Sequence, residues 1–167
     1  TSVKLDKLKQ IGLSMTELPK GYELNKKLVR IVENRRKSIN EEKNIDWSTA
    51  EHLAFGTLLD EGHPVRLSGQ DSCRGTFSQR HAVFVDQNNE NRYIPLNNLK
   101  ENQPQFEVID SPLSEASVLG FEYGYSLTEP SALVMWEAQF GDFANGAQVI
   151  VDQFISSGEA KLSLIHI

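Results

Sequence analysis

The feature that most constrains the fold is an alternation of helical and strand-like segments that occurs three times. An apolar stripe with helical spacing at residues 47–58 ends near Gly62, and residues 64–67 follow at once as a short strand candidate. Residues 105–109 and 132–136 are two further strand candidates, each followed by a segment with helical spacing. This rhythm is typical of an α/β domain. Because residues 132–136 are almost all apolar, they predict a strand buried on both faces, and we expect a parallel sheet flanked by helices.

Capping residues predict where the helices begin. Asp46 or Ser48 caps the helix that carries the stripe, and Glu51 stands three residues after Ser48, in capping-box spacing. Ser114 is placed to cap the helix after the second strand. After the third strand, spacing predicts a last helix with one buried face, formed by Ala144, Ala147, Val151, Phe154 and Ile155.

The amino-terminal segment, residues 1–44, is polar and helical in pattern, and we interpret it as a helical linker. Its basic residues predict a solvated helix face, with contact to a partner as the alternative. These residues are Lys26, Lys27, Arg30, Arg35 and Arg36.

Charge and composition exclude several classes of function. The formal net charge of the 167 residues is −6, which argues against non-specific binding to nucleic acid. No apolar run is long enough to span a bilayer, so no membrane partner is expected. The one cysteine, Cys73, cannot form an internal disulfide, and we interpret it as a bystander in a polar loop rather than a nucleophile. The chain begins with Thr1, without an initiator Met or a secretory leader, and we expect either a fragment or a missing start.

Three blocks of sequence resemble a known family. They are residues 45–83, which contain GHPVRLSGQDSCRGTFSQRHAV, then SPLSEASVLGFEYGYS at 111–126 and WEAQFGDFANGAQVIVDQFISSGEAK at 136–161. In this order they resemble the pyrimidine-binding domain of the 2-oxoglutarate dehydrogenase E1 family, thiamine-diphosphate-dependent enzymes related to the transketolases. The resemblance implies an incomplete pyrimidine-binding domain over residues 45–161. Residues 162–167 depart from the family, and we interpret them as a truncated or non-native tail.

The resemblance implies that Glu115 is the catalytic acid that holds the aminopyrimidine ring of thiamine diphosphate. A carboxyl group within hydrogen-bonding distance of N1′ exchanges a proton with that nitrogen by general acid–base catalysis. From spacing alone the alternative is structural, because an acid in the first turn of a helix is favoured by the helix dipole by about 0.3–1 kcal/mol. The surrounding block favours the catalytic role.

Three apolar side chains are implied as cofactor contacts. The resemblance places Phe140 against the aminopyrimidine ring, with Phe143 as a rival for the same position, and Leu113 beside the cofactor. Taken alone, Phe140 is more typical of a core residue, since most aromatic side chains are buried.

The polar loop between the first strand candidate and His81 is a third candidate region, because open α/β sheets bind ligands at such loops. Arg74 and Arg80 could receive a dicarboxylic substrate in bidentate fashion, and His81 could transfer protons as a second catalytic residue. The alternatives are surface ion pairs for the arginines and a structural role for the histidine. We interpret His52 and His63 as structural.

The family binds the diphosphate and its magnesium ion with a GDG motif in another domain, whereas residues 140–143 of this chain are Phe-Gly-Asp-Phe. The metal ligands are therefore expected outside this chain, and the fragment is expected to be inactive alone. The resemblance further implies a homodimer that shares the cofactor site and an E2 lipoyl acyltransferase partner. The implied reaction is decarboxylation of 2-oxoglutarate, in a bacterial cytoplasm or a mitochondrial matrix. The alternatives are a 2-oxoadipate or branched-chain E1, and a non-catalytic α/β interaction domain.

Overall fold

The computed structural model describes residues 2–140 and 145–158 and shows an α/β architecture. Three helices precede the first strand, and each later strand except the second is followed by a helical segment. The elements are α1 (Leu5–Ser14), α2 (Lys26–Glu41), α3 (Trp47–Glu61), β1 (Val65–Gly69), β2 (Phe84–Val85), β3 (Arg92–Tyr93), a 3₁₀ turn (Pro95–Asn98), β4 (Phe106–Asp110), α4 (Glu115–Thr128), β5 (Leu133–Glu137) and short helical turns at Asn145–Ala147, Gln148–Ile150 and Val151–Ile155.

The three predicted strands form one parallel sheet with the order β4-β1-β5. Leu67 of β1 lies opposite Val108 of β4 on one side and Met135 of β5 on the other. The prediction of a parallel sheet flanked by helices is therefore confirmed. Because the chain leaves β1 toward β4 on one side and later returns to β5 on the other, the sheet has a topological switch point beside β1. Ligands of open α/β sheets bind at such points, outside the carboxyl ends of the strands.

The third strand differs from its prediction. Strand β5 is an edge strand of the described sheet, with Leu133 exposed and the following four residues half-buried. The expectation of a strand buried on both faces is therefore wrong for the described part of the chain. Burial on both faces needs elements packed over each face, which periodicity along one strand does not report; among the described strands, β5 pairs with β1 alone.

The core lies between the sheet and helices α1 and α3. Leu59, Val65 and Phe106 are almost completely buried, and the rings of Phe55 and Phe106 pack with centroids 5.5 Å apart. Burial of side chains of this size stabilises the fold by roughly 1.5–3 kcal/mol each. The core residues Ile11, Met15 and Ile39 come from the segment predicted to be a linker, so its helices pack on the α/β unit; the boundary at residue 44 stays a prediction.

Of the two residues predicted to cap helix α3, Asp46 and Ser48, the structure shows that Asp46 is the cap. The Asp46 carboxylate accepts a hydrogen bond from the backbone N–H of Thr49 at 2.6 Å, so Asp46 is the cap. Ser48 is buried and its hydroxyl instead accepts from Arg35 at 2.7 Å. Glu51 pairs with Arg80, so the predicted capping box does not form. Gly62 ends the helix in a left-handed conformation, as predicted, with φ of +95°.

Helix α4 begins at Glu115, directly after Ser114, as predicted. The cap differs in detail, because the Ser114 hydroxyl lies 3.0 Å from the hydroxyl of Ser117 and makes no capping hydrogen bond to the backbone.

The predicted last helix is broken into 3₁₀, α and π turns between Asn145 and Ile155. Ala147 is fully buried, but Phe154 and Ile155 are nearly half exposed, so the predicted single buried face is wrong. The rotation per residue changes between these turn types, and residues three or four apart no longer share a face. Ala144 lies outside the described residues.

No helix in the described part of the chain is long and apolar enough to cross a membrane.

Candidate functional site

A crevice opens at the carboxyl ends of the three parallel strands. It is a small cleft, with a cavity volume of about 10 Å³, that opens to solvent. Its walls come from the end of β1, the β4–α4 connection with the start of α4, and the end of β5. The lining residues include Gly69, Ser111, Leu113, Glu115, Glu137 and Gln139.

Glu115 lies in the wall of this crevice and is half-buried. As the first residue of α4 it stands at the positive end of the helix dipole, which favours a carboxylate. Gly146 lies against it: a β-carbon at position 146 would be 3.2 Å from the Glu115 Oε2 atom. The absence of a side chain at Gly146 therefore leaves room for the carboxyl group beside the crevice.

The opposite wall is formed where β1 meets the end of β5. Gly69 has φ of +152°, and a β-carbon there would overlap the carbonyl oxygen of Glu137 and lie 2.9 Å from the hydroxyl of Ser72. Only glycine allows the two backbones to approach this closely. The Ser111 N–H donates to the Gly69 carbonyl at 2.8 Å, which ties the β4–α4 connection to the same place.

The geometry agrees with a comparison of whole sequences. The sequence profile of the family described as "Transketolase, pyrimidine binding domain" matches residues 43–165. The chain belongs to this family. It is also similar to the 2-oxoglutarate dehydrogenase E1 components of Brucella ovis, at 61% identity, and Brucella melitensis, at 60% identity. Each comparison covers 161 residues, which is 96% of this chain and 16% of the relative, so the chain spans a small part of these proteins.

In this pyrimidine-binding domain, the apolar side chains predicted to contact the cofactor lie at different distances from the crevice. Leu113 lines the crevice and is 46% exposed. Phe140 follows the lining residue Gln139; its ring is half exposed and meets the ring of Phe77 edge to face, with centroids 6.4 Å apart. Phe140 is therefore next in sequence to the crevice wall but is not part of it. Phe143 lies outside the described residues.

Arg74 and His81 lie in the loop after β1, and neither is part of the crevice wall. Arg74 is exposed; its guanidinium pairs with Asp71 and donates to the Ser78 hydroxyl at 2.6 Å. His81 is half-buried with a left-handed φ of +48°, and burial, the largest cause, lowers its pKa below the usual value. Their predicted roles stay predictions.

Arg80 conflicts with the expectation that it receives a substrate carboxylate. Its side chain is 4% exposed and lies between Glu51 and Glu137, with ion-pair distances of 2.8 and 2.6 Å. It also donates to the Ser72 carbonyl at 2.9 Å. Since these contacts use all five N–H groups of the guanidinium, no donor remains for a substrate.

Two residues near the site were missed by the sequence analysis or given another role. Arg35, expected on a solvated helix face, is 5% exposed, and its Nη2 lies 2.6 Å from the Arg80 carbonyl oxygen. Glu137 lines the crevice and pairs with Arg80. The one sequence signal that could have placed Glu137 in the site is its position directly after the strand candidate at residues 132–136. The carboxyl ends of parallel strands meet at one edge of the sheet, where ligands bind.

Cys73 is not a candidate nucleophile. The side chain is buried, and burial together with the nearby Asp110 carboxylate raises the pKa of its thiol to about 11. The thiolate is therefore scarce at neutral pH, which agrees with the interpretation of Cys73 as a bystander. Its location differs, because Cys73 belongs to the hydrophobic core.

Within residues 2–140 and 145–158, no group of three or more His, Cys, Asp or Glu side chains is arranged to hold a metal ion.

His52 is buried, and its titration is expected to make the stability of the fold depend on pH. Its Nδ1 lies 2.8 Å from the Ser48 carbonyl oxygen, and burial with the neighbouring Arg35 lowers its pKa to about 3. In the unfolded chain a histidine has a pKa of about 6.5. Between these two values the unfolded state binds more protons, so stability falls as the pH is lowered from about 6.5 toward 3.

We expect this group to lower the free energy of unfolding by about 2 kcal/mol between pH 7 and pH 5. Chemical denaturation of wild type and His52→Gln at both pH values measures the contribution, because the glutamine can keep a hydrogen bond to Ser48 without titrating. An equal pH dependence in the two proteins would show that His52 is not held neutral in the fold.

Proposed function

We propose that this chain supplies the pyrimidine half of a thiamine diphosphate site. The observation that carries the proposal is the position of the Glu115 carboxyl group in the crevice at the strand ends. The types of residue at the crevice suit the ring of the cofactor. The crevice opens to solvent, it has an apolar wall residue in Leu113, and glycine at position 146 leaves room for the Glu115 carboxyl group.

When bound, thiamine diphosphate supplies the electron sink that decarboxylation of a 2-oxoacid requires. The part of this chain is to bind and orient the aminopyrimidine ring. Glu115 would hold a proton at N1′ of that ring by a hydrogen bond, and the neighbouring helix dipole would stabilise the carboxylate when the proton is transferred. Leu113 would pack against the ring, and Phe140 or Phe143 would close its other face.

The whole protein is proposed to be the E1 component of a 2-oxoglutarate dehydrogenase complex. The support is the identity of about 60% to proteins named as that component. The enzyme would decarboxylate 2-oxoglutarate in the tricarboxylic acid cycle and pass the succinyl group to the lipoyl arm of E2. It would act as a homodimer in the bacterial cytoplasm, with Mg²⁺ and the diphosphate bound by a domain outside this chain.

Two residues of the loop after β1 are proposed as substrate contacts in that assembly. Arg74 is exposed and keeps one side of its guanidinium toward Asp71, so a substrate carboxylate could replace that partner. His81 is proposed to transfer protons, and its lowered pKa keeps the imidazole neutral at physiological pH.

A substrate panel on the full-length enzyme tests the proposed function. We expect kcat/KM for 2-oxoglutarate to exceed the values for 2-oxoadipate and branched-chain 2-oxoacids by at least tenfold, in a thiamine-diphosphate-dependent reaction. The 167-residue chain, as the control, is expected to show no turnover. A preference for another 2-oxoacid would assign a sister E1, and the absence of any turnover would favour a non-catalytic interaction domain.

A further inference from the structure

We propose that Arg80 is a positioning residue for the crevice, which it shapes through Glu137 and Ser72 without touching cofactor or substrate. This inference rests on the proposed function, because it assigns Arg80 a part in binding thiamine diphosphate.

The guanidinium of Arg80 joins three separate elements. On α3 it pairs with both carboxylate oxygens of Glu51, at 2.8 and 3.1 Å. At the end of β5 it pairs with both carboxylate oxygens of Glu137, at 2.6 and 2.9 Å. In the turn after β1 it donates to the Ser72 carbonyl at 2.9 Å. Bidentate contacts on two sides fix the direction of each carboxylate as well as its distance.

Two of these three partners belong to the crevice wall or adjoin it. Glu137 lines the crevice, and its carbonyl oxygen lies against Gly69, which lines it as well. Ser72 stands three residues beyond Gly69, and its hydroxyl also lies close to that glycine. By contacting Ser72 after β1 and Glu137 at the end of β5, Arg80 fixes the relative position of these two parts of the crevice wall.

The backbone of Arg80 is fixed in turn by helix α2. The buried Arg35 guanidinium lies 2.6 Å from the Arg80 carbonyl oxygen and 3.1 Å from that of Gln79. His81, the next residue, has a left-handed backbone conformation that a non-glycine residue seldom adopts. A buried cation with every donor used, on a backbone held by another buried cation, is suited to fixing geometry.

Lysine cannot reproduce this arrangement, because its ammonium has three donors at one point and cannot bridge two carboxylates in bidentate fashion. In the full-length enzyme we expect Arg80→Lys to raise the Kd of the apoenzyme for thiamine diphosphate at least tenfold. We expect kcat at saturating cofactor to fall less than threefold, since Arg80 does not touch the reacting atoms. Equilibrium dialysis with thiamine diphosphate and Mg²⁺ measures Kd without turnover.

A purely structural role predicts a different pattern: a lower melting temperature with an unchanged Kd well below that temperature. Arg36→Lys is the matched control, because Arg36 is exposed on α2 and should change neither quantity. If Arg80→Lys does not fold, Glu137→Gln weakens the same contact from the crevice side and should raise Kd at least threefold.

An unchanged Kd in folded Arg80→Lys, or a large loss of kcat at unchanged Kd, overturns the inference and leaves the proposed function intact. If the wild-type enzyme does not bind thiamine diphosphate, the proposed function itself fails and this inference fails with it.

Discussion

Replacement of Glu115 by glutamine in the full-length enzyme is expected to lower the rate of 2-oxoglutarate decarboxylation by a factor of about 10²–10⁴. Glutamine keeps the length of the side chain and its packing against Gly146, but its amide cannot transfer a proton to N1′. Steady-state kinetics with saturating thiamine diphosphate measure the loss. The structural alternative for Glu115 predicts only a small loss of stability, of about 0.3–1 kcal/mol from the helix dipole.

The control is Glu101→Gln, which removes an exposed carboxylate in a turn and should leave turnover unchanged. Turnover of Glu115→Gln within about threefold of wild type, in a protein with an unchanged melting temperature, would remove Glu115 from the proton-transfer role. A binding role alone would appear as a raised Kd for the cofactor with kcat restored at saturation.

Replacement of Gly69 by alanine is expected to lower the free energy of unfolding by about 2–6 kcal/mol. The added β-carbon would overlap the carbonyl oxygen of Glu137, and alanine tolerates a φ of +152° poorly. Both effects act on the crevice wall, so cofactor binding should weaken together with stability. Chemical denaturation of the domain measures the change in free energy.

Gly124→Ala is the matched control for this prediction. Gly124 lies in α4 and is exposed, and a β-carbon added there would meet no neighbouring atom within 4 Å. Alanine there should stabilise the helix by roughly 0.5–1 kcal/mol, because it restricts the unfolded backbone. A Gly69→Ala protein as stable as wild type would mean that β1 and β5 do not approach each other as closely as described.

Most of the architecture was predictable because it depends on local pattern. The stripe of α3, its end at Gly62 and the strand after it follow from spacing and from the conformational freedom of glycine. The parallel sheet follows from the alternation of elements. Local pattern could not report what packs over each strand or beside it. Strand β5 was expected to be buried on both faces, but in the described sheet it is a partly exposed edge strand.

The site was predictable only in part, for the same physical reason. The block around Glu115 predicted its role, and the structure places the residue in the wall of the crevice; the role stays a prediction. The network of Arg80 with Glu51 and Glu137 joins residues 29 and 57 positions apart, and no periodicity connects such positions. Arg35 was misjudged because its basic neighbours on α2 are exposed, whereas its own position faces the loop after β1.

The most direct measurement is an experimental structure of the full-length enzyme with thiamine diphosphate and Mg²⁺. We predict that a carboxylate oxygen of Glu115 lies about 2.6–3.2 Å from N1′ of the aminopyrimidine ring, with Leu113 against that ring. A ring bound elsewhere, or a Glu115 side chain turned to bulk solvent while the cofactor is bound, would contradict the assignment of Glu115 to the cofactor.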